Sequence, residues 1–344
     1  MDSAHSKRKT VNGRASLQVT ESELIEHLLH SFLGGFCEGV KHLQVHEKGD
    51  QWLDNEDGLL WHFTRFSVLK QMLVGRQLWL SDLAFGNDAN EIAYGLSRSI
   101  AVVERVSAHW DQRSHATTVR LIAQRAVRRW AQYHVYAFCL SEHRDTAQHW
   151  NAYGGGLNTQ PTLDDPHVAI GFEAQELFYP LEITAMEMPI YVFNVLCGDE
   201  AADLLVLYWA NKTRKALEAA DTLRTPLSTQ RLYDACERTL AIVCALVKND
   251  GWRDEHEYRL LFVTDTFGEN HKQALQRPGE QAQYVPLIWK PKKSPIRAIM
   301  PHPLASVQSI RQSLRKLPGG ADISLIPSRL KPRPTPSSIV VQKN

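Results

Sequence analysis

The stretch Trp252-Arg253-Asp254-Glu255-His256-Glu257-Tyr258-Arg259-Leu260-Leu261-Phe262 carries the reading of this chain. It reads as the opening of a strand that runs to about Val263. Side chains alternate faces along a strand, so Glu255, Glu257 and Arg259 point the same way. Two carboxylates and a guanidinium on one face cost free energy unless water or a partner satisfies them. The residues that follow are apolar and suit burial. The pattern predicts a strand that carries charge to the rim of a sheet. The plainer alternative is a solvated strand end with a local ion pair.

A second segment lies far upstream. Leu60, His62 and Thr64 alternate with Trp61, Phe63 and Arg65, which predicts a short strand. Ser67 suits a helix N-cap, and Leu69, Met72 and Leu73 give that helix an apolar stripe. Gly75 suits the left-handed residue after it, and Gln77-Leu78-Trp79-Leu80 reads as the next strand. The unit is strand, short helix, strand, with His62-x-Thr64 on the first strand.

The rest of the chain alternates irregularly. Thr20 and Glu23 form a capping box before an apolar stripe from Leu24 to Phe36. Asp88 and Glu91 form a cap-like pair before a helix to about Glu104, and a second helix spans about 117–130. Tyr133–Leu140 reads as a strand, followed by a short helix bearing His149, Trp150 and Tyr153. Gly154-Gly155-Gly156 ends that helix and has no phosphate-loop spacing, so it implies flexibility or close backbone approach. Strands are expected at 167–173 and 189–194, then long helices at about 198–219 and 228–249. Strands at 283–288 and 296–299, a helix near 304–316 and a strand near 322–326 close the sequence. Mixed elements without regular βαβ alternation predict an α+β fold with a mixed, mostly antiparallel sheet flanked by helices. The expected organisation is a disordered 1–17, an N-terminal helical extension at 18–57, one α+β domain at 58–330 and a basic, proline-rich tail at 331–344. The chain from Pro327 onward reads as an extended linker or a disordered end.

Composition narrows the function classes. A 344-residue chain, 43% hydrophobic and 22% charged, can bury a large core. Its net charge of +1 advertises neither a nucleic-acid nor a membrane partner. No run reaches the roughly 18 apolar residues of a transmembrane helix, and the N-terminus does not read as a signal peptide. Cys37, Cys139, Cys197, Cys236 and Cys244 show no Cys-x-x-Cys spacing. They read as reduced, mostly buried thiols of a cytoplasmic protein. His143, Asp145 and His149 match no zinc motif, so no metal is expected. Trp289-Lys290-Pro291-Lys292-Lys293-Ser294-Pro295 reads as a solvated basic loop.

Four motifs occur in a set order. They are the His62-Phe63-Thr64 strand, the Phe85-Gly86-Asn87-Asp88-Ala89-Asn90-Glu91 turn, the Trp150-Asn151-Ala152-Tyr153-Gly154 segment and the Trp252-x-x-Glu255-x-Glu257-x-Arg259 strand. In order and spacing they resemble the bacterial domain-of-unknown-function family 2971, over about residues 58–330. The strand-helix-strand opening also resembles the start of ADP-ribosyltransferase-like folds. Those proteins use a His or Arg on a first strand, a mid-chain aromatic and a Glu on a late strand.

That second resemblance implies an enzyme that takes NAD as substrate and breaks its nicotinamide–ribose bond. As a toxin or defence effector does, it would act on a protein or nucleic-acid acceptor. Glu257 would stabilise an oxocarbenium-like transition state. Glu255 would orient or deprotonate the nucleophile. Tyr153, or Trp150 in its place, would hold the nicotinamide ring. His62 and Thr64 would hydrogen-bond the ribose and amide, and Arg259 would either bind pyrophosphate or neutralise Glu257. Each has a structural alternative: His62 as the partner of one backbone carbonyl, and Trp150 with Tyr153 as a core patch. Two further readings stay open. One is a nucleotide- or ligand-sensing domain without turnover. The other is a scaffolding protein whose N-terminal helix contacts a partner.

Overall fold

The computed structural model describes residues 57–85, 90–162, 164–178, 191–221, 226–265, 275–276, 283–289 and 294–331. The capping box at Thr20, the N-terminal helix, Cys37, the turn through Asp88, residues 290–293 and the tail beyond 331 lie outside the described residues.

The chain opens with β1 (Leu59–Arg65), α1 (Phe66–Gly75), β2 (Gln77–Asp82), α2 (Glu91–Ser107) and α3 (Arg113–Arg128). Then come β3 (Tyr133–Ser141), α4 (Ala147–Ala152), β4 (His167–Glu173), α5 (Ala174–Phe178), β5 (Tyr191–Asn194) and β6 (Leu196–Cys197). Two long helices follow, α6 (Asp199–Ala220) and α7 (Pro226–Cys244), before β7 (Val247–Lys248). The chain continues with β8 (Glu257–Asp265), β9 (Leu275–Gln276), β10 (Gln283–Ile288), β11 (Ile296–Pro301), α8 (Val307–Leu314) and β12 (Ser324–Leu325). The fold is α+β, and its main sheet is mixed but mostly antiparallel.

Strand periodicity sorts the core onto two faces. On β8, Tyr258, Leu260 and Phe262 pack with Phe138, Phe172 and the buried stripes of α1, α5 and α8. Leu261 and Val263 face the other way, onto α2, α3, α6 and α7. The helix α3 forms because His115, Ala116, Val119, Ile122, Ala123 and Ala126 recur at helical spacing and bury one stripe against this bundle. Farther along the same face, Trp61, Ala169, Ala298 and Met300 are covered by Trp150 of α4.

Pairing around β3 positions the site. β8 runs antiparallel along one edge of β3, from Tyr133 opposite Asp265 to Ser141 opposite Glu257. The other edge is shared. β2 meets β3 at Tyr136 and Ala137, whereas β1 meets it only at Ser141. Between these contacts β1 and β2 part, and the sheet splits.

Several expectations are corrected. Ser67 is not the cap of α1: its backbone N–H (2.7 Å) and hydroxyl (2.9 Å) both donate to Asp165, a carboxylate 98 residues away. Gly75 is helical, and Arg76 takes the left-handed conformation at φ 50°. The strand expected from Trp252 is a 3₁₀ turn over Asp250–Glu255, and His256 at φ 42° turns the chain into β8. The helix expected to run to about 249 stops at Cys244, because Val247 and Lys248 pair in parallel with Leu196 and Cys197. The segment after Pro327 packs on the domain: Ser328 Oγ (2.7 Å) and Arg329 N (2.6 Å) donate to Asp145.

Candidate functional site

The split opens into a cavity of about 340 Å³. Phe138, Cys139 and Leu140 of β3 line it where neither β1 nor β2 pairs. Trp61, Phe63, Trp79, Phe85 and Trp252 supply aromatic walls. Its polar part is a buried ionic network of Glu91, Lys248, Glu255, Glu257 and Arg259, each no more than 8% exposed.

Arg259 and Lys248 organise the network. Arg259 grips Glu257 with two parallel hydrogen bonds, Nε to Oε1 at 2.6 Å and Nη2 to Oε2 at 2.9 Å. Its Nη1 donates to Glu91 and, at 2.6 Å, to the carbonyl of Ala245 just past the end of α7. A cation at that place also complements the helix dipole. Lys248 Nζ lies 2.7 Å from Glu257 Oε2, 2.8 Å from Glu255 Oε2 and 3.7 Å from Glu91 Oε2. It also sits 5.1 Å from the centre of the Trp252 ring.

The charges follow from these contacts. Burial alone would raise the Glu257 pKa, but Arg259 and Lys248 outweigh it and hold the carboxyl down at about 2. Burial would lower Lys248, yet Glu257, Glu91 and Glu255 keep its ammonium well above the usual range. Burial, assisted by Glu257, pushes the Cys139 thiol far up, so it stays protonated at neutral pH.

His62 bridges the split. Its Nδ1 donates to the Cys139 carbonyl at 2.8 Å, and its ring stacks on Phe138 with centres 4.3 Å apart. Burial drives its pKa down to about 4, against the smaller opposing effect of that hydrogen bond. The ring is therefore neutral at pH 7. A carbonyl only accepts, so Nδ1 carries the proton and Nε2 keeps a lone pair. Tyr153, at the end of α4, donates its hydroxyl to Glu255 Oε1. His149 stands behind it, with Nε2 3.3 Å from the Glu255 carbonyl and its ring stacked on Phe63.

Of the residues that the sequence singled out, His62, Tyr153, Glu255, Glu257 and Arg259 line this one cavity. Thr64 does not contribute to its wall. Trp150 is not a ring-stacking surface. It is fully buried in the core under β1, and its Nε1 donates to Asp145 at 3.0 Å. The close backbone approach expected of the glycines is present at Gly154, where a Cβ would lie 2.3 Å from Trp150 Cε3. Arg259 neutralises Glu257, the second of its two expected roles. Glu255 reaches the cavity from the 3₁₀ turn and not from the strand face.

Two members of the network escaped sequence reasoning. Glu91 looked like half of a helix cap, and Lys248 looked like the end of a helix. The only local sign for Lys248 was a lone lysine after the apolar run Ala241–Val247, where an unpaired charge would be costly.

No family model matches this chain, and no curated protein or solved structure matches it. Fold and site together define an α+β protein with a buried ionic cavity at a split in its sheet. No helix among the described residues is long and apolar enough to cross a membrane.

Proposed function

We propose that the cavity is the active site of an ADP-ribosyltransferase-like enzyme that takes NAD as substrate. The observation that carries this reading is the meeting of Glu257, Glu255, Tyr153 and His62 in one aromatic-walled cavity. Its volume of about 340 Å³ suits the nicotinamide–ribose end of a dinucleotide and leaves the adenylate end outside.

In the proposed reaction the bond between the ribose C1′ and the nicotinamide nitrogen breaks. Its electron pair stays on that nitrogen, and neutral nicotinamide leaves. Positive charge develops on the ribose as an oxocarbenium, which Glu257, ionised at neutral pH, stabilises. Arg259 and Lys248 hold that carboxylate in place, so it need not reorganise as charge develops. The nucleophile, an acceptor group or water, attacks C1′ and gives its proton to Glu255. Tyr153 fixes the Glu255 carboxylate, and the Nε2 lone pair of His62 accepts from a ribose hydroxyl or the carboxamide.

A second reading keeps the cavity and removes the turnover, as in a nucleotide- or ligand-sensing domain. The observation that favours it is the engagement of both Glu257 oxygens by Arg259, with Lys248 also on Oε2. The experiment that separates the two is nicotinamide release from NAD by the full chain, with and without cell lysate as acceptor source. Release that collapses in Glu257→Gln supports the transferase. NAD binding without release supports the sensor. Absence of both overturns the NAD reading.

A further inference from the structure

We infer that this cavity is selective for small organic cations, a ligand class set by its charge and its aromatic walls. The inference concerns what the cavity binds and does not rest on the transfer reaction. Among the described residues, the charged side chains that line it are the carboxylates of Asp82, Glu91, Glu255 and Glu257 and the cations Lys248 and Arg259. Their formal charges leave the wall two negative charges in excess. His134, 2.9 Å from Asp82, removes one of these only when protonated. The remaining titratable groups on the wall do not offset it. His62 is neutral at pH 7, burial lowers the His149 pKa as well, and the Cys139 thiol is protonated.

A buried excess of negative charge costs free energy that water screens poorly in so small a space. A cationic guest removes that cost. The walls suit one, because aromatic faces attract cations through their quadrupoles, and Lys248 already sits over Trp252 in this way.

The test compares two probes of the same shape. Choline carries a quaternary ammonium and a hydroxyl, and 3,3-dimethyl-1-butanol is its neutral carbon isostere. Titration calorimetry on the full chain is expected to show choline binding at least about tenfold tighter, the scale of one desolvated cation–aromatic contact. In Glu255→Gln, which removes one charge and keeps the side-chain shape, the preference is expected to fall at least about threefold. Equal affinity for the two probes, or no choline binding, overturns the inference in the wild-type protein without reference to any variant. A preference undiminished in a folded Glu255→Gln protein overturns it too. Neither probe has a glycosidic bond. Cation preference without nicotinamide release therefore leaves this inference standing and the transferase reading fallen, and the converse result does the reverse.

Discussion

Lys248 Nζ lies 2.7 Å from Glu257 Oε2, joining a two-residue strand to the head of the longest pairing in the sheet. The contact makes one lysine answer for two buried carboxylates, since Glu255 lies 2.8 Å away on the same ammonium. Sheet register fixes Glu257, and the β6–β7 ladder fixes Lys248. The meeting of Lys248 with Glu257 is therefore a consequence of topology and not of local sequence.

Lys248→Met keeps the side-chain length and removes the charge. Glu255 then loses its cation and keeps the Tyr153 hydroxyl, and Glu257 keeps Arg259 as its cation. Removing one partner from a buried ion pair costs about 3–5 kcal/mol, and that loss is expected here. Urea unfolding of Lys248→Met, Glu255→Gln and the double variant measures it. The second change should recover part of the loss, because it removes the stranded charge. A loss below about 1 kcal/mol would show that the pair is solvated.

Glu257 predicts a specific acid dependence. Its folded pKa of about 2 lies below the ordinary 4.5, so the folded state binds the proton less well than the unfolded chain. The stabilisation is complete above pH 4.5 and is lost as pH falls from 4.5 towards 2. Unfolding free energies of wild type and Glu257→Gln, taken at steps through that window, should converge as the pH drops. A constant difference between them would refute the assignment.

The sequence made half of this site legible. Glu257 and Arg259 could be paired because strand period alone puts them on one face, and His62 stood out as a polar residue in an apolar strand. Glu91 could not be seen, because its partner Arg259 is 168 residues away and helix starts commonly carry acids. Lys248 was hidden for a different reason. A two-residue strand has no detectable period, and the apolar run before it continued the helix pattern. The cap of α1 shows the same limit, since Ser67 is local and Asp165 is not. Where one element sets the geometry, its own period reports it; Glu91, Lys248 and Asp165 act across distant elements, and no local pattern marks them.

His62 should be neutral, with the proton on Nδ1, throughout the physiological range. Long-range nitrogen–proton NMR on ring-labelled protein reports that tautomer directly. The signal should hold until pH approaches about 4. Because the folded pKa lies below the ordinary 6.5, the stabilisation is complete above pH 6.5 and is lost as pH falls through about 4. A protonated Nε2 with a bare Nδ1 at pH 7 would contradict the hydrogen bond to the Cys139 carbonyl.

Two helical glycines allow packing to be separated from propensity. A Cβ on Gly95 of α2 would lie 2.7 Å from Cys244 Cα and 2.8 Å from the Cys244 carbonyl oxygen, which are backbone atoms that cannot step aside. A Cβ on Gly75 at the end of α1 would meet only the flexible Gln77 side chain, at 3.2 Å. Helix propensity favours alanine at both positions. Gly75→Ala should therefore be neutral or stabilising by a few tenths of a kcal/mol, whereas Gly95→Ala should cost about 1–3 kcal/mol through overpacking. The strain has a route to the site. Gly95 lies one turn from Glu91, so moving α2 away from α7 draws that carboxylate from Arg259. Thermal unfolding of both variants tests the packing. Loss of ligand binding in Gly95→Ala at a temperature where it stays folded tests the connection. Equal stability changes in the two variants would mean that α2 and α7 are not in this close contact.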